Sequence, residues 1–508
     1  MKRAFSFLLF ALLTFQFVLA QKPAQEDILK KLGEIKSEAS VNPQTINYVS
    51  QMADEIGPRI TWSPGFDKSI QWGVKKLEEI GISNSHFEEW EPKGKSWEIK
   101  KNVVNQLTPY FQNLIAYPRH FSPGVKGTVK GKAVYVEIRN EADFEKYKGK
   151  LNGAVAFTSI LPNYRINYNP LVIRYADADM KKFESAQMPN EEEKRKAKEA
   201  EEKNTKATMD YFHALNKMVD FCIKEGAVAI VEHGARPYGS INSLSALLPK
   251  PVKNVDEFFY AAADPNEKTL PQITLSLEQY TSIVRTVKNG IDVNIEITLD
   301  IQEGKLNTGK NVIAEIPGTD LKNEIVMIGG HIDTQGPSIG AADNAVGAAV
   351  CMEAMRLLKK TGVQPRRTIR IALWGGEEEG YLGSKAYVNK HFASPDPKEK
   401  CYMYFNTDNG AGKFRGIYME EREELVPTMK KWFEMINMNL VTAITKTSNT
   451  DHVPFNEKGI PGFQFIQDPL DYFRTYHTNM DRIERIPADD VRDNAIIMAS
   501  LAYLAAME

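Results

Sequence analysis

Cysteine is scarce. There are three in 508 residues, Cys222, Cys351 and Cys401, far apart and forming no Cys-x-x-Cys pair. That spacing argues against a thiolate metal site, and the default expectation is three buried small hydrophobes, with one disulfide the alternative. Excess charge is lacking as well. The formal net charge is −2 and no Lys/Arg-rich run supports a basic groove, so no nucleic-acid partner is expected. Beyond the first twenty residues there is no apolar run long enough to span a bilayer, so no stable membrane insertion is expected. Histidine is sparse, with eight in all. A metal site, if present, must draw on His, Asp and Glu.

The exception to the missing apolar runs is the N-terminus. Lys2 and Arg3 precede the apolar stretch Phe5 to Val18, which closes as Val18-Leu19-Ala20 before Gln21. A basic start, a short apolar stretch and small residues at the cut read as a cleaved signal peptide, residues 1–20. The expected destination is export, to the periplasm or the medium.

The length calls for two or three domains. Residues 25–85 read as two amphipathic helices, the first on Leu29, Leu32 and Ile35, the second from Phe66 to Ile80, ending at Gly81. From Val125 to about Ile160 short strands alternate with glycines, as in Ala133 to Val136 and Ala154 to Phe157. The mixed charge run 189–206 reads as a solvated helix laced by i,i+4 pairs, leading into a more amphipathic one through Leu215 and Cys222. From Asn311 apolar strands alternate with helices: Ile325 to Ile328, Asn344 to Lys360, Ile369 to Trp374, Tyr402 to Phe405, Gly462 to Ile466, and Ala488 to Met507. Such alternation implies an α/β domain on a mostly parallel central sheet.

In open α/β sheets ligands bind beyond the carboxyl ends of the strands. Here one strand runs into Gly330-His331-Ile332-Asp333, another into Gly375-Gly376-Glu377-Glu378-Glu379-Gly380, a third into Asn406-Thr407-Asp408. His331 and Asp333, two apart, face the same way in extended chain, which suits an imidazole ligand oriented by a carboxylate. A surface His with a nearby acid fits as well. Asp343, at the mouth of the next helix, could be an N-cap or a carboxylate bridging two cations. Three consecutive glutamates between glycines, with no Lys or Arg before Lys385, repel one another unless a dication or solvent compensates. Adjacent Glu side chains also permit one to ligate and its neighbour to act as general base. His477, in Tyr476-His477-Thr478-Asn479-Met480-Asp481, is a further candidate ligand, though a structural histidine fits equally.

Taken together, these motifs resemble the M28 family of metallopeptidases, di-zinc aminopeptidases and their relatives. The matching stretches are His331 to Asp333, Gly340 to Gly347, Trp374 to Ser384, Asn406 to Asp408, Asp451-His452 with Pro454-Phe455, and Tyr476 to Asp481. The resemblance implies two Zn2+ ions per chain. One would be held by His331, Asp343 and Asp408, the other by Asp343, Glu378 and His477. It makes Glu377 the general base acting on a metal-bridging water, Asp333 the partner of His331, and Tyr476 a stabiliser of the oxyanion. It implies a three-layer phosphorylase/hydrolase-like zinc exopeptidase fold with an inserted β-rich protease-associated domain. The expected division is 1–20 signal peptide, 21–121 N-terminal helical part, 122–300 inserted domain and 301–508 catalytic domain. Peptides are the expected substrates and aminopeptidase action the expected activity. Carboxypeptidase or dipeptidase action, a glutaminyl cyclase and an inactive binding module are the alternatives. Side-chain preference and oligomeric state stay open.

Overall fold

The computed structural model describes residues 25–163, 166–394 and 397–508. The expected signal peptide lies outside the described residues. In chain order the strands are β1 (His86–Gln106), β2 (Gln112–Asn113), β3 (Ala116–Pro118), β4 (Thr128–Tyr135), β5 (Val155–Phe157), β6 (Ala229–His233) and β7 (Gln272–Leu275). They continue as β8 (Asn294–Ile316), β9 (Leu321–His331), β10 (Arg367–Trp374), β11 (Lys400–Asn406), β12 (Phe414–Tyr418), β13 (Val441–Ala443) and β14 (Gly462–Gln467). One sheet joins them in the order β13-β12-β14-β11-β9-β10-β8-β4-β5-β6-β7-β3, with β1 lying along β8 and β2.

At the centre β10, β9, β11 and β14 are parallel. A parallel sheet is covered on both faces, so its strands read as unbroken apolar runs. β10 is buried at all eight positions. Alternate residues face opposite layers: Val326, Ile328, Ile369, Ile371 and Leu373 join the core under the helices Val346–Lys360 and Ala488–Met507. Ile325, Met327, Ala372 and Trp374 join the core with Tyr387, Val388 and Phe455. The result is three layers, helix on sheet on helix. The terminal helix has no polar stripe because it is buried along nearly its whole length, from Val491 to Met507 apart from Arg492 and Asp493.

A second half of the sheet is built on parallel β4, β5, β6 and β7. It has its own core of Val155, Val231, Ile273, Tyr280 and Ile297. The link between the halves is the long antiparallel pair β1–β8, in register from His86↔Ile313 to Gln106↔Ile295.

Two expectations need correction. The stretch 21–121 is helical only as far as Glu79, after which β1 begins. Three register shifts interrupt the pairing of β1 with β8, so burial along it follows no period of two and leaves no strand signature in the sequence. The charge run and the amphipathic helix after it are one helix, Glu191–Lys224. Asn190 caps it, accepting from Glu193 N at 3.0 Å while its own N–H donates to Glu193 Oε2 at 2.8 Å. As expected, the charged half is exposed and the second half buries Phe212, Met218, Val219 and Cys222. All three cysteines are free and buried.

Candidate metal centre

The carboxyl ends of β9, β10 and β11 open onto one place. β9 ends in His331, buried to 1% exposure, and its Nε2 lies 3.2 Å from Asp343 Oδ1, 3.4 Å from Asp408 Oδ1 and 4.0 Å from Glu377 Oε2. The loop after β14 carries His477 in the left-handed region, with φ 56°. His477 Nε2 is 3.0 Å from Asp343 Oδ2 and 2.9 Å from Glu378 Oε2. Asp343 therefore turns one oxygen to each imidazole. The donor atoms of His331, Glu377 and Asp408 lie within 4.8 Å of one another, and so do those of His331, Asp343 and Glu378. All the candidate ligands from the sequence thus converge, and Glu377 lies beside them, 4.0 Å from His331 Nε2.

Asp333 is fully buried beside His331, its Oδ1 3.5 Å from Nδ1. It does more than face the imidazole. Its carboxylate accepts from the backbone N–H groups of Glu377 (3.4 Å) and Glu378 (3.2 Å) and from the Thr61 hydroxyl at 3.1 Å. One carboxylate thereby fixes the glutamate turn against β9. Tyr476 sits against His477 with ring centroids 4.5 Å apart and stacks on Tyr472 at 5.1 Å.

The electrostatics call for positive charge. No Lys or Arg pairs with Asp343, Glu377, Glu378 or Asp408 among the described residues. Burial, with Asp408, Glu378 and Asp451 close by, pushes the Glu377 carboxyl well above its ordinary range against the pull of His331. Burial and the Asp343 charge raise Glu378 to about 7, against the pull of His477. Burial opposes charge on the two imidazoles, yet the surrounding carboxylates hold both well above the usual histidine range. Asp343 Oδ2 and Glu378 Oε1 are buried without a hydrogen-bond partner. Oxygen and imidazole donors, orphaned carboxylate oxygens and unbalanced negative charge fit divalent cations.

Two residues behind the centre carry no sequence signal of their own. Arg59 is wholly buried and spends its guanidinium on carbonyls: Nε to Ile332 O, Nη1 to Met52, Gly57 and Ile339 O, and Nη2 to Gly340 O, all between 2.7 and 3.1 Å. It ties the segments on either side of residues 333–338 to the N-terminal helices. Asp481, noted in the sequence only as the end of a motif, accepts from the N–H groups of Ala342 (2.7 Å) and Asp343 (3.0 Å). Asn344 donates to Thr407 O at 2.8 Å and accepts from Gly347 N at 3.0 Å, which locks the Asp343 turn to the Asp408 loop. A Cβ at Gly347 would come 2.2 Å from Asn344 Oδ1, so glycine is required there. The one local mark of a special turn is the Gly57-Pro58 pair just before Arg59.

Carboxylates and imidazoles gathered at the strand ends of a three-layer α/β sheet define a class, the metal-dependent hydrolases. The model of Peptidase family M28 matches residues 311–502, a span that holds every one of these side chains except Thr61 and Arg59. The match covers the part of the chain that carries the centre, and the protein is an enzyme of the metallo-exopeptidase class. Carboxypeptidase Q of Rattus norvegicus is 22% identical over 97% of this chain and 92% of its own length. Aminopeptidase YwaD of Bacillus subtilis (strain 168) is 31% identical over 41% of this chain and 47% of its own. Among solved structures, a Peptidase M28 precursor from Shewanella amazonensis SB2B matches with a TM-score of 0.67 at 20% identity, covering 95% of this chain and 97% of that one. The zinc aminopeptidase BSAP from Bacillus subtilis matches with a TM-score of 0.55 at 19% identity over 90% and 93%. At such identities these two likenesses speak for the fold.

Proposed function

We propose that the protein is an exported zinc exopeptidase with a two-metal centre. One ion would be held by His331, Asp343 and Asp408, the other by Asp343, Glu378 and His477. The observation that carries this reading is the Asp343 carboxylate, each oxygen turned to a different imidazole at 3.2 and 3.0 Å. Zinc suits these donors and is the metal named for the BSAP neighbour. When bound, the two ions would acidify a water towards neutrality and polarise the scissile carbonyl.

The chain's own groups do the rest. Glu377, buried and with its proton affinity raised, takes the proton of the attacking water on its carboxylate and returns it to the leaving amine. Asp333 keeps the His331 ring oriented and the glutamate turn in place. Tyr476, beside His477, is assigned to the developing oxyanion. We read the half of the sheet on β4–β7 as the inserted protease-associated domain, with the peptidase part on either side of it in sequence. Export rests on the sequence of residues 1–20. No helix among the described residues is long and apolar enough to cross a membrane.

Aminopeptidase action is the first reading, supported by the BSAP fold and the YwaD match. A second, carboxypeptidase or dipeptidase action, is supported by the length of the match to carboxypeptidase Q, 97% of this chain against 41% for YwaD. The test is metal analysis combined with one variant. Purified protein should bind two equivalents of zinc, and Glu377→Gln should keep both while losing at least about 100-fold in kcat. Near-wild-type turnover by that variant would remove Glu377 as the base, and fewer than two equivalents would remove the two-metal centre.

A further inference from the structure

The two candidate imidazole ligands are carried in different ways. His331 ends β9, opposite Trp374 of β10. Asp408 stands two residues beyond β11, where Thr407 N–H donates to Gly329 O at 3.0 Å. Both are placed by the central sheet itself. His477 sits on no strand or helix; it follows the short helical turn Tyr472–Thr475, between β14 and the terminal helix. Its φ of 56° is a conformation that L side chains rarely adopt, and such backbone persists only where the surroundings hold it.

Much of what holds it comes from the other half of the sheet. Ahead of His477, the stretch between β5 and β6 crosses over: Ile173 and Leu470 exchange backbone hydrogen bonds at 2.9 and 2.8 Å. The buried Asp468 carboxylate accepts from Tyr175 N–H at 3.0 Å and from Arg174 Nη1 at 2.9 Å. Around His477, the loop between β6 and β7 takes over. Arg236 Nη1 donates to the Tyr476 carbonyl. Asn479 uses its side chain as a peptide group would be used: Oδ1 accepts from Ile241 N–H at 2.8 Å and Nδ2 donates to Gly239 O at 3.2 Å. A β-bridge between Asn242 and Thr478 lies beside them.

The segment's own half holds its ends. Asp471 accepts from Arg474 at 2.7 Å and from Arg485, and Asp481 lies behind the Asp343 turn. Bonds within the segment, such as Thr478 Oγ1 to Thr475 O at 2.6 Å, set its shape rather than its place. Tyr476, Thr478 and Asn479, which flank the imidazole, are the residues tied across. Zinc bonds an imidazole nitrogen at about 2.0–2.1 Å, so a small displacement of this loop breaks the bond.

We propose that the half of the sheet built on β4–β7 positions His477, so that occupancy of the ion held by Asp343, Glu378 and His477 depends on that half while occupancy of the other ion does not. Asn479 is the positioning residue at the junction. The inference rests on the two-metal centre proposed above and gives the second half of the sheet a task within it.

The test is zinc titration of the full chain after chelation, read by competition with a chromophoric chelator. Wild type should take up two equivalents, and His477→Ala should mark which of them is the His477 ion. Asn479→Ala should weaken that same equivalent by about 10–100-fold and leave the other unchanged. Asn479→Asp, which keeps the acceptor for Ile241 N–H, should fall between. Arg174→Met, on the far side of the loop and in the other half, should weaken the same equivalent. Added to His477→Ala, the Asn479→Ala change should have no further effect, because it acts through the imidazole. Both equivalents weakened alike, neither weakened, or a further loss in the His477→Ala background overturns the proposal and leaves the two-metal reading standing. Fewer than two equivalents in wild type overturns both.

Discussion

At the scale of single residues, the centre is a group of buried charges held by hydrogen bonds that never touch substrate. Asp333 and Asp481 each collect backbone N–H groups from the turns that carry Glu377, Glu378 and Asp343. Such outer partners fix where a ligand oxygen points, and losing one weakens metal affinity by about 10–100-fold. Asp481→Asn keeps the shape but presents an amide NH₂ to one of the two N–H donors. The expectation is a loss of zinc affinity in that range, read by competition against a chromophoric chelator, with little change in Tm of the zinc-saturated protein. Unchanged affinity would reduce Asp481 to a structural role. His331, Glu378 and Asp408 stood out in the sequence because they end or closely follow apolar strands, whereas Asp343 and His477 also read as a helix cap and a structural histidine, and the ligand role came to them through the family resemblance. Arg59 and Arg236 did not stand out. One is spent on carbonyls and the other sits on a loop, and neither leaves a periodic or spaced pattern.

At the scale of elements, burial decides which parts matter to stability. The terminal helix Ala488–Met507 is sunk in the main core, and Leu501 has no exposed surface. Leu501→Ala should cost about 2–5 kcal/mol in chemical denaturation through lost burial and the cavity left behind. The charged half of Glu191–Lys224 is the opposite case. Its pairs, Arg195–Glu199 and Lys196–Glu192, are solvent-exposed, and exposed pairs contribute little. Replacing Glu192 and Glu199 together by Gln should leave Tm and kcat/KM within error. A large drop in either would mean that this helix covers something in solution. The same contrast explains what could be read in advance. β9 and β10 announced themselves as unbroken apolar runs, whereas β1, with its shifted register and charged neighbours such as Glu88, Glu89 and Glu91, gave no period to find.

At the scale of the whole molecule, the centre links folding to protons and metal. Burial raises Asp451 to about 8 and Asp481 to about 7, as it does Glu378 to about 7. These folded-state values lie above the ordinary carboxylate values of the unfolded chain, so between them the folded chain binds more protons. Stability from these groups is present at low pH and is lost as pH rises from about 4 to 8. The raised affinities of His331 and His477 act in the same direction. Metal-free protein should therefore melt several degrees lower at pH 8 than at pH 5, and added zinc should raise Tm more at pH 8 than at pH 5. Differential scanning fluorimetry of chelator-treated protein tests this. A pH-independent Tm, or a larger zinc effect at pH 5, would contradict it.

The sequence alone determined the kind of chemistry and where in the chain it would lie. Strand runs, the acids and histidines that follow them, and the lack of useful cysteines are local properties, set by which side chains are adjacent. Only the tertiary structure decided how those groups face one another: that Asp343 turns an oxygen to each imidazole, that Asp481 and Arg59 stand behind the turn, and that Arg236 arrives from the far half of the sheet. Those are contacts between residues tens to hundreds of positions apart. Nothing in a linear order fixes them until the core packs and the buried polar groups must find partners.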